Sequence, residues 1–491
     1  MPALRVTISA MNESTDATSP MDLAAAPMVR SSGLWPTLRD AIRGSSVDYT
    51  TAPIGRGILM LAVPMVLEML MESVFAVVDV FWVARLGADA VATVGLTESM
   101  LTLVYTVAMG VSIGATALVA RRVGEKDPEG AARAAVQSIA VGLVIALAIG
   151  VFGARYAADL LALMGASPSV IARGATFTRV MLGGNATVVL LFVMNAIFRG
   201  AGDAVIAMRV LWLGNIINIV LGPCFIFGLG PFPEMGVTGA AVATNIGRGT
   251  AVLVQVLTLV RGRGRIALAR RHLGLDLPVM GSVLRLSGSG TVQILIATAS
   301  YVGLMRILST FGSEALAGYT IGLRVFFLAL LPSFGISNAA ATMVGQNLGA
   351  GKPERAERAV WQAVRYNMLF LGSMGLVFLL FAPSIIAVFS QDATVQSFGV
   401  ACLRIVSAGF IFYAVGMVLT QSFNGAGDTW TPTIINLVVF WLFEIPLAYL
   451  LAVHTGLGAQ GVFAALAIAY SSLAVVSAMV FRRGRWKYKK I

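Results

Sequence analysis

Three acidic residues share one apolar run. From Ile58 to Ala84 the chain is almost wholly hydrophobic, yet it carries Glu68, Glu72 and Asp79. At about 100° per residue, a helix places Glu72 about 40° and Asp79 about 20° around from Glu68, so all three lie on one stripe. A carboxylate inside hydrocarbon costs at least ~2.5 kcal/mol and usually faces a protein interior or a watery cavity. The pattern therefore points to a cation or proton site. The plainer alternative is that one or two of the acids rest at a membrane edge or pair with an arginine. Two further apolar runs add polar groups. Asn215 and Asn218 lie on adjacent turns, and Asn218 is either a cation ligand or a bridge to a neighbouring helix worth about 0.6–2 kcal/mol. Thr244 either joins such a site or returns its hydroxyl to its own helix. Glu444 stands two residues before Pro446, whose ring frees a carbonyl. That placement suits a substrate or gating role. Asp203 and Asp428, in Gly-Ala-Gly-Asp turns, read as N-caps. These turns are not phosphate loops, since no Lys-Ser/Thr follows and no strand precedes.

The elements that position these residues are membrane spans. Hydrophobic residues make up 58% of 491 positions and charged ones 12%, and mean hydropathy is +0.86. That is far from a soluble domain and leaves room for about a dozen crossings of roughly 20 residues each. Spans are expected near 57–84, 94–119, 135–153, 177–198, 204–227, 236–260, 283–308, 317–344, 359–381, 398–423, 432–453 and 458–481. The net charge of +12 comes from lysines and arginines between apolar runs, so no nucleic-acid partner is implied. Two cysteines in apolar runs and two histidines leave no disulfide framework and no histidine metal centre. No catalytic constellation stands at mid-span and no nucleotide-binding domain is visible, so the chain reads as neither an enzyme nor a primary pump. Residues 1–50 read as a flexible cytosolic tail and 482–491 as a basic one.

A shift of 225 residues brings loop motifs into register. Gly87-Ala-Asp-Ala matches Gly312-Ser-Glu-Ala, Gly124-Glu-Lys-Asp-Pro-Glu matches Gly349-Ala-Gly-Lys-Pro-Glu, and Phe198-Arg-Gly-Ala-Gly-Asp matches Phe423-Asn-Gly-Ala-Gly-Asp. The fold class is thus an all-α integral membrane protein of about twelve transmembrane helices in two homologous six-helix bundles, 51–275 and 276–481. An even number of helices per repeat makes the halves parallel, a plan used by transporters whose halves rock about a central site. Basic residues gather after spans 2, 6 and 8 and at the C-terminus, which places both termini in the cytoplasm of a multi-pass cell-membrane protein. A monomer is expected.

The chain resembles the multidrug and toxic compound extrusion (MATE) transporters. The resemblance rests on Pro64, Val78-Asp79 and Leu86-Gly87, on Gly124 with Pro128-Glu129, on Arg199-Gly-Ala-Gly-Asp203, Asn218-Ile-Val-Leu-Gly-Pro223 and Gly236-Val-Thr-Gly-Ala-Ala-Val-Ala-Thr244, and on the matching second-half motifs. It implies a V-shaped cavity that opens alternately and exports amphipathic, often cationic compounds in exchange for H⁺ or Na⁺, with no cofactor. One branch of the family, which includes the DinF-like members, holds a cation in the N-terminal half. Its ligand positions fall on Asp79, Asn218, Gly222 and Thr244, and the glycine removes one carboxylate. The other branch uses two acids in the C-terminal half, where the nearest positions here are Ala297 and Tyr413. The resemblance therefore favours an altered N-half site, with Glu72 replacing the missing carboxylate, Glu68 nearby, and Asn215, Tyr413 and Glu444 as weaker substrate or gating candidates. A carboxyl withdrawn from water holds its proton more tightly, so H⁺ is the expected coupling ion. The rival is a flippase for lipid-linked oligosaccharides from the same superfamily, whose cavities are basic where this one is expected to be acidic.

Overall fold

A computed structural model describes residues 33–44 and 47–491. Among the described residues, eleven helices are long and apolar enough to cross a membrane, and the bent pair at 393–425, taken as one span, brings the crossings to twelve. The first six crossings are α2 (Ile54–Ala84), α3 (Ala88–Gly124), α4 (Pro128–Arg155), α6 with α7 (Pro168–Gly183, Asn185–Ala201), α8 (Ala204–Phe227) and α9 (Val237–Val260). A small helix, α5 (Ala157–Leu163), precedes the fourth crossing. The second six are α10 (Leu277–Leu308), α11 (Ser313–Gly349), α12 (Pro353–Ala387), α13 with α14 (Ala393–Ala408, Phe410–Gly425), the segment Trp430–His454, and α17 (Ala459–Arg482). Segment 430–454 contains α15 (Trp430–Asn436) and α16 (Ile445–Tyr449), each followed by π-helical turns.

Several helices begin before the hydrophobic run because polar caps extend them. Asp127 accepts from Gly130 N (2.8 Å) ahead of Pro128, and Asp276 accepts from Val279 N (3.2 Å) ahead of Pro278. These caps satisfy backbone N–H groups that have no partner within the helix.

The repeat is visible in backbone detail. The fourth and tenth crossings break at Gly184 (φ −85°, ψ 5°) and Gly409 (φ −85°, ψ −3°), 225 positions apart. The sixth and twelfth start at Gly236 (φ 55°, ψ −137°) and Gly458 (φ 55°, ψ −136°), a region that side chains disfavour.

The halves are joined toward the end that carries the termini. There α2 packs on α11, and α3 packs on α10 and α11. Thr342 donates to Arg199 O (3.1 Å) and Gln346 Nε2 to Gly200 O (2.9 Å). A Cβ at Gly124 would stand 2.0 Å from Gln346 O, so only glycine permits that approach.

The N-terminal segment differs from the sequence expectation. Within the segment expected to be a flexible tail, Leu34–Arg43 forms a helix, α1, whose Asp40 pairs with Arg56 (3.0 Å). Residues 1–32 and 45–46 lie outside the described residues. The basic C-terminal segment is docked, not free. Trp486 is buried and stacks on Phe481 (4.6 Å), while Lys487 pairs with Glu354 (2.9 Å) and Glu357 (2.6 Å).

The two aspartates expected to cap helices do something else. Asp203 accepts from Arg265 N (2.6 Å) and faces its Nε (3.4 Å), holding the loop after the sixth crossing. Burial pushes its carboxyl above the usual range, against the opposing pull of Arg265. Asp428 pairs with Lys489 (3.2 Å) and accepts from Thr431 Oγ1 (2.6 Å), holding the segment after the twelfth.

Candidate functional site

The N-terminal half stacks its polar groups in tiers along α2. Nearest the termini, Glu68 is 1% exposed and accepts from Asn195 Nδ2 (2.9 Å) and Arg199 Nη1 (3.5 Å) of α7. Gln255 of α9 donates to Asn195 Oδ1 (2.6 Å). These four side chains tie three helices together with one charge of each sign.

One turn further along α2, Glu72 accepts from Asn215 Nδ2 of α8 (3.2 Å) and lies 3.7 Å from Arg248 Nη2 of α9. Arg248 is 7% exposed, donates to the Tyr105 hydroxyl (3.2 Å) and lies over the rings of Phe75 and Tyr105 (both 5.9 Å). A guanidinium buried in a span needs such partners, because an unpaired charge there is costly.

The outermost tier is less bound. Asp79 is half-buried and, among the described residues, makes no hydrogen bond or ion pair; the charges that act on it are Glu98 of α3 and Arg248. Glu98 is exposed. Alongside, Asn218 donates to Thr244 Oγ1 (2.7 Å), and that hydroxyl donates onward to Ala240 O (2.9 Å). Thr244 thus serves its own helix and Asn218 at once. At Gly222 an added Cβ would meet only Asn218 Oδ1, at 3.9 Å. There is room for a side chain.

The predicted residues therefore separate into groups. Glu72 links Asn215 to Arg248, whose charge also acts on Asp79; Asn218 and Thr244 form a neighbouring pair, and Glu68 belongs to the inner brace. Tyr413 and Glu444 lie apart, buried in the C-terminal half. The site expected to be acidic also holds a cation, because Arg248 stands among the acids. Arg248 and Glu98 escaped the sequence reading, although a charged residue inside an apolar run is the same signal that singled out Glu444, and Arg199 was read only as part of a turn motif.

The profile of the MatE family matches residues 64–224 and again 291–450, one match in each half. A probable multidrug resistance protein NorM of Thermotoga maritima is 28% identical over 89% of this chain and 94% of its own. One from Pseudomonas aeruginosa is 30% identical over 89% of this chain and 90% of its own. A solved outward-facing conformation of a multidrug resistance MATE family transporter of the MOP superfamily superposes with TM-score 0.83 at 26% identity, covering 90% of this chain and 98% of that one.

Proposed function

The chain belongs to the MATE family of membrane transporters, and we propose that it is a multidrug efflux antiporter that exchanges amphipathic cationic compounds for protons through Asp79. The observation that carries this reading is electrostatic. Glu72, Asp79 and Glu98 share a single cation, Arg248, and Arg248 is already engaged by Glu72 and Tyr105. Asp79 is left to be neutralised by something that comes and goes. A proton or a cationic substrate can do so, but both at once would overcompensate the site, and two ligands that compete for one charge are the thermodynamic basis of exchange.

The cycle then follows from the joint between the halves. With the halves packed at the termini-bearing end, which we place in the cytoplasm from the distribution of basic residues, the half-buried Asp79 is taken to open toward the opposite side. Protonation of Asp79 removes the counter-charge, the substrate cation leaves, and the neutral site is free to turn inward. The working unit is taken to be a monomer in the bilayer, and the acids give no support to a flippase for phosphate-linked sugars.

Transport of ethidium into inverted vesicles, under an imposed pH or sodium gradient, tests the reading. Asp79→Asn is expected to reach the membrane folded and to lose pH-driven accumulation. Efflux that runs on a sodium gradient with no proton gradient would defeat proton coupling.

A further inference from the structure

The segment Trp430–His454 leaves α-helical geometry over an apolar stretch that ends in its one acid. Leu437–Glu444 is π-helical, and Pro446, which has no N–H, follows two residues later. Glu444 closes that π-helical stretch. It is 0% exposed, and neither of its carboxyl oxygens has a hydrogen-bond partner. No other acidic residue of the C-terminal half is so placed among the described residues; the rest lie at helix ends and loops.

The titratable groups that act on or are acted on by Glu444 come from α10 and α17, which pack on its stretch, and from α11 and α14 beyond them, and none is a cation. Tyr301 and Ser300 stand on α10, Tyr319 on α11, Tyr413 on α14 and Tyr470 on α17. The hydroxyls of Tyr301 and Tyr470 are 2.6 Å apart, and the rings of Tyr413 and Tyr470 stack at 3.9 Å. The hydroxyls of Tyr319 and Tyr413 have no partner. Ser300 spends its proton on Ala297 O (2.8 Å), so toward a neighbour it can only accept. A bare carboxylate buried with no cation beside it and no hydrogen bond to either oxygen is far too costly to persist, whereas a neutral carboxylic acid fits, with its O–H directed to a lone pair such as that of Ser300.

We propose that Glu444, enclosed by Ser300, Tyr301, Tyr413 and Tyr470, is a second proton-binding site, located in the C-terminal half and shut from water in this conformation. The π-helical stretch supplies the means of opening it. A π turn holds one residue more than an α turn, and expelling that residue rotates the following side chains by about 100°. Glu444 would then leave the tyrosines for the space between the halves. There its O–H bond breaks, the electron pair stays on the carboxylate, and the proton passes to water. The protein would therefore move a proton in each half.

This inference is independent of the role given to Asp79, and its test keeps the two separate. Infrared difference spectra of the full-length protein in lipid nanodiscs report protonated carboxyl C=O bands between neutral and alkaline pH. One such band is expected to vanish in Glu444→Gln, to persist in Asp79→Asn, and to shift in frequency in Ser300→Ala, which keeps the acid and so reads the site even if Glu444→Gln folds poorly. Vesicles carrying Glu444→Gln are expected to show an altered pH profile of ethidium exchange. A spectrum unchanged by Glu444→Gln and Ser300→Ala overturns the proposal. So does a lost band with an unchanged pH profile, which would make Glu444 a fixed structural acid.

Discussion

Twelve residues past the glycine that opens the last helix of each half stand Arg248 in one and Tyr470 in the other. The same duplicated position thus bears a cation facing carboxylates and, in its counterpart, a neutral ring bonded to Tyr301. At the 225-residue shift, Glu72 and Asp79 correspond to Ala297 and Leu304, so the N-terminal acids have no copies. Among the described residues, the C-terminal half instead has one acid deep within a crossing, Glu444, on the segment equivalent to α8. Where the site meets water, at Asp79 and Glu98, charges are plural and partly paired. Where it is sealed, one acid sits among hydroxyls. The difference follows from solvation: several charges can be held near an aqueous cavity, but each one taken into the dry interior demands its own counter-charge.

The largest effect is expected from removing the cation that defines the N-terminal half. Arg248→Gln leaves Glu72 and Asp79 without compensation. Breaking a buried pair costs about 3–5 kcal/mol, and since Glu72 keeps contact with water the loss should fall at the lower end. Thermal unfolding in detergent is expected to show a marked drop that Glu72→Gln partly restores in the double variant. If Arg248→Gln alone unfolds like the native protein and exports at the native rate, the two halves do not differ in the way described.

A smaller effect sharpens the same contrast. Gly222→Asp adds a carboxylate where a Cβ meets nothing closer than 3.9 Å. The variant is expected to fold, and in a Glu72→Gln background to restore part of the pH-driven ethidium export that Glu72→Gln loses. No recovery in a folded double variant would mean that Glu72 serves to hold Arg248, and that carboxylate number is not what the site needs.

Most of the fold was legible because its signals are local or periodic. Apolar runs gave the twelve crossings, and Gly-rich turns such as those at Asp203 and Asp428 gave the repeat. The stripe of Glu68, Glu72 and Asp79 was legible from helical geometry alone. Their separation into an inner brace, a paired acid and a free one was not, because Arg199 and Arg248 reach them from α7 and α9, more than a hundred positions away. The π-helical turns around Glu444 were also hidden. The sequence shows Pro446, but whether the strain resolves as a kink or a π turn depends on how α10 and α17 pack around it.

The smallest effect concerns the clamps that close each half. Asp203 holds Arg265 and Asp428 holds Lys489 in corresponding places, but only Asp203 also takes a backbone N–H, at Arg265. Burial raises the Asp203 carboxyl above its ordinary value of 3.8, with Arg265 acting in the opposite sense. A raised acid favours the folded state most below its unfolded value, and that contribution is lost as pH rises through the folded one. At neutral pH the ionised Asp203 is therefore a net cost to folding, even with Arg265 beside it. Asp203→Asn keeps an oxygen for the Arg265 N–H and removes the charge, so its melting temperature at neutral pH should equal or slightly exceed that of the native protein, and the gap should close on acidification. A clear drop at neutral pH would show the ion pair outweighing burial, and the two clamps would then be equivalent after all.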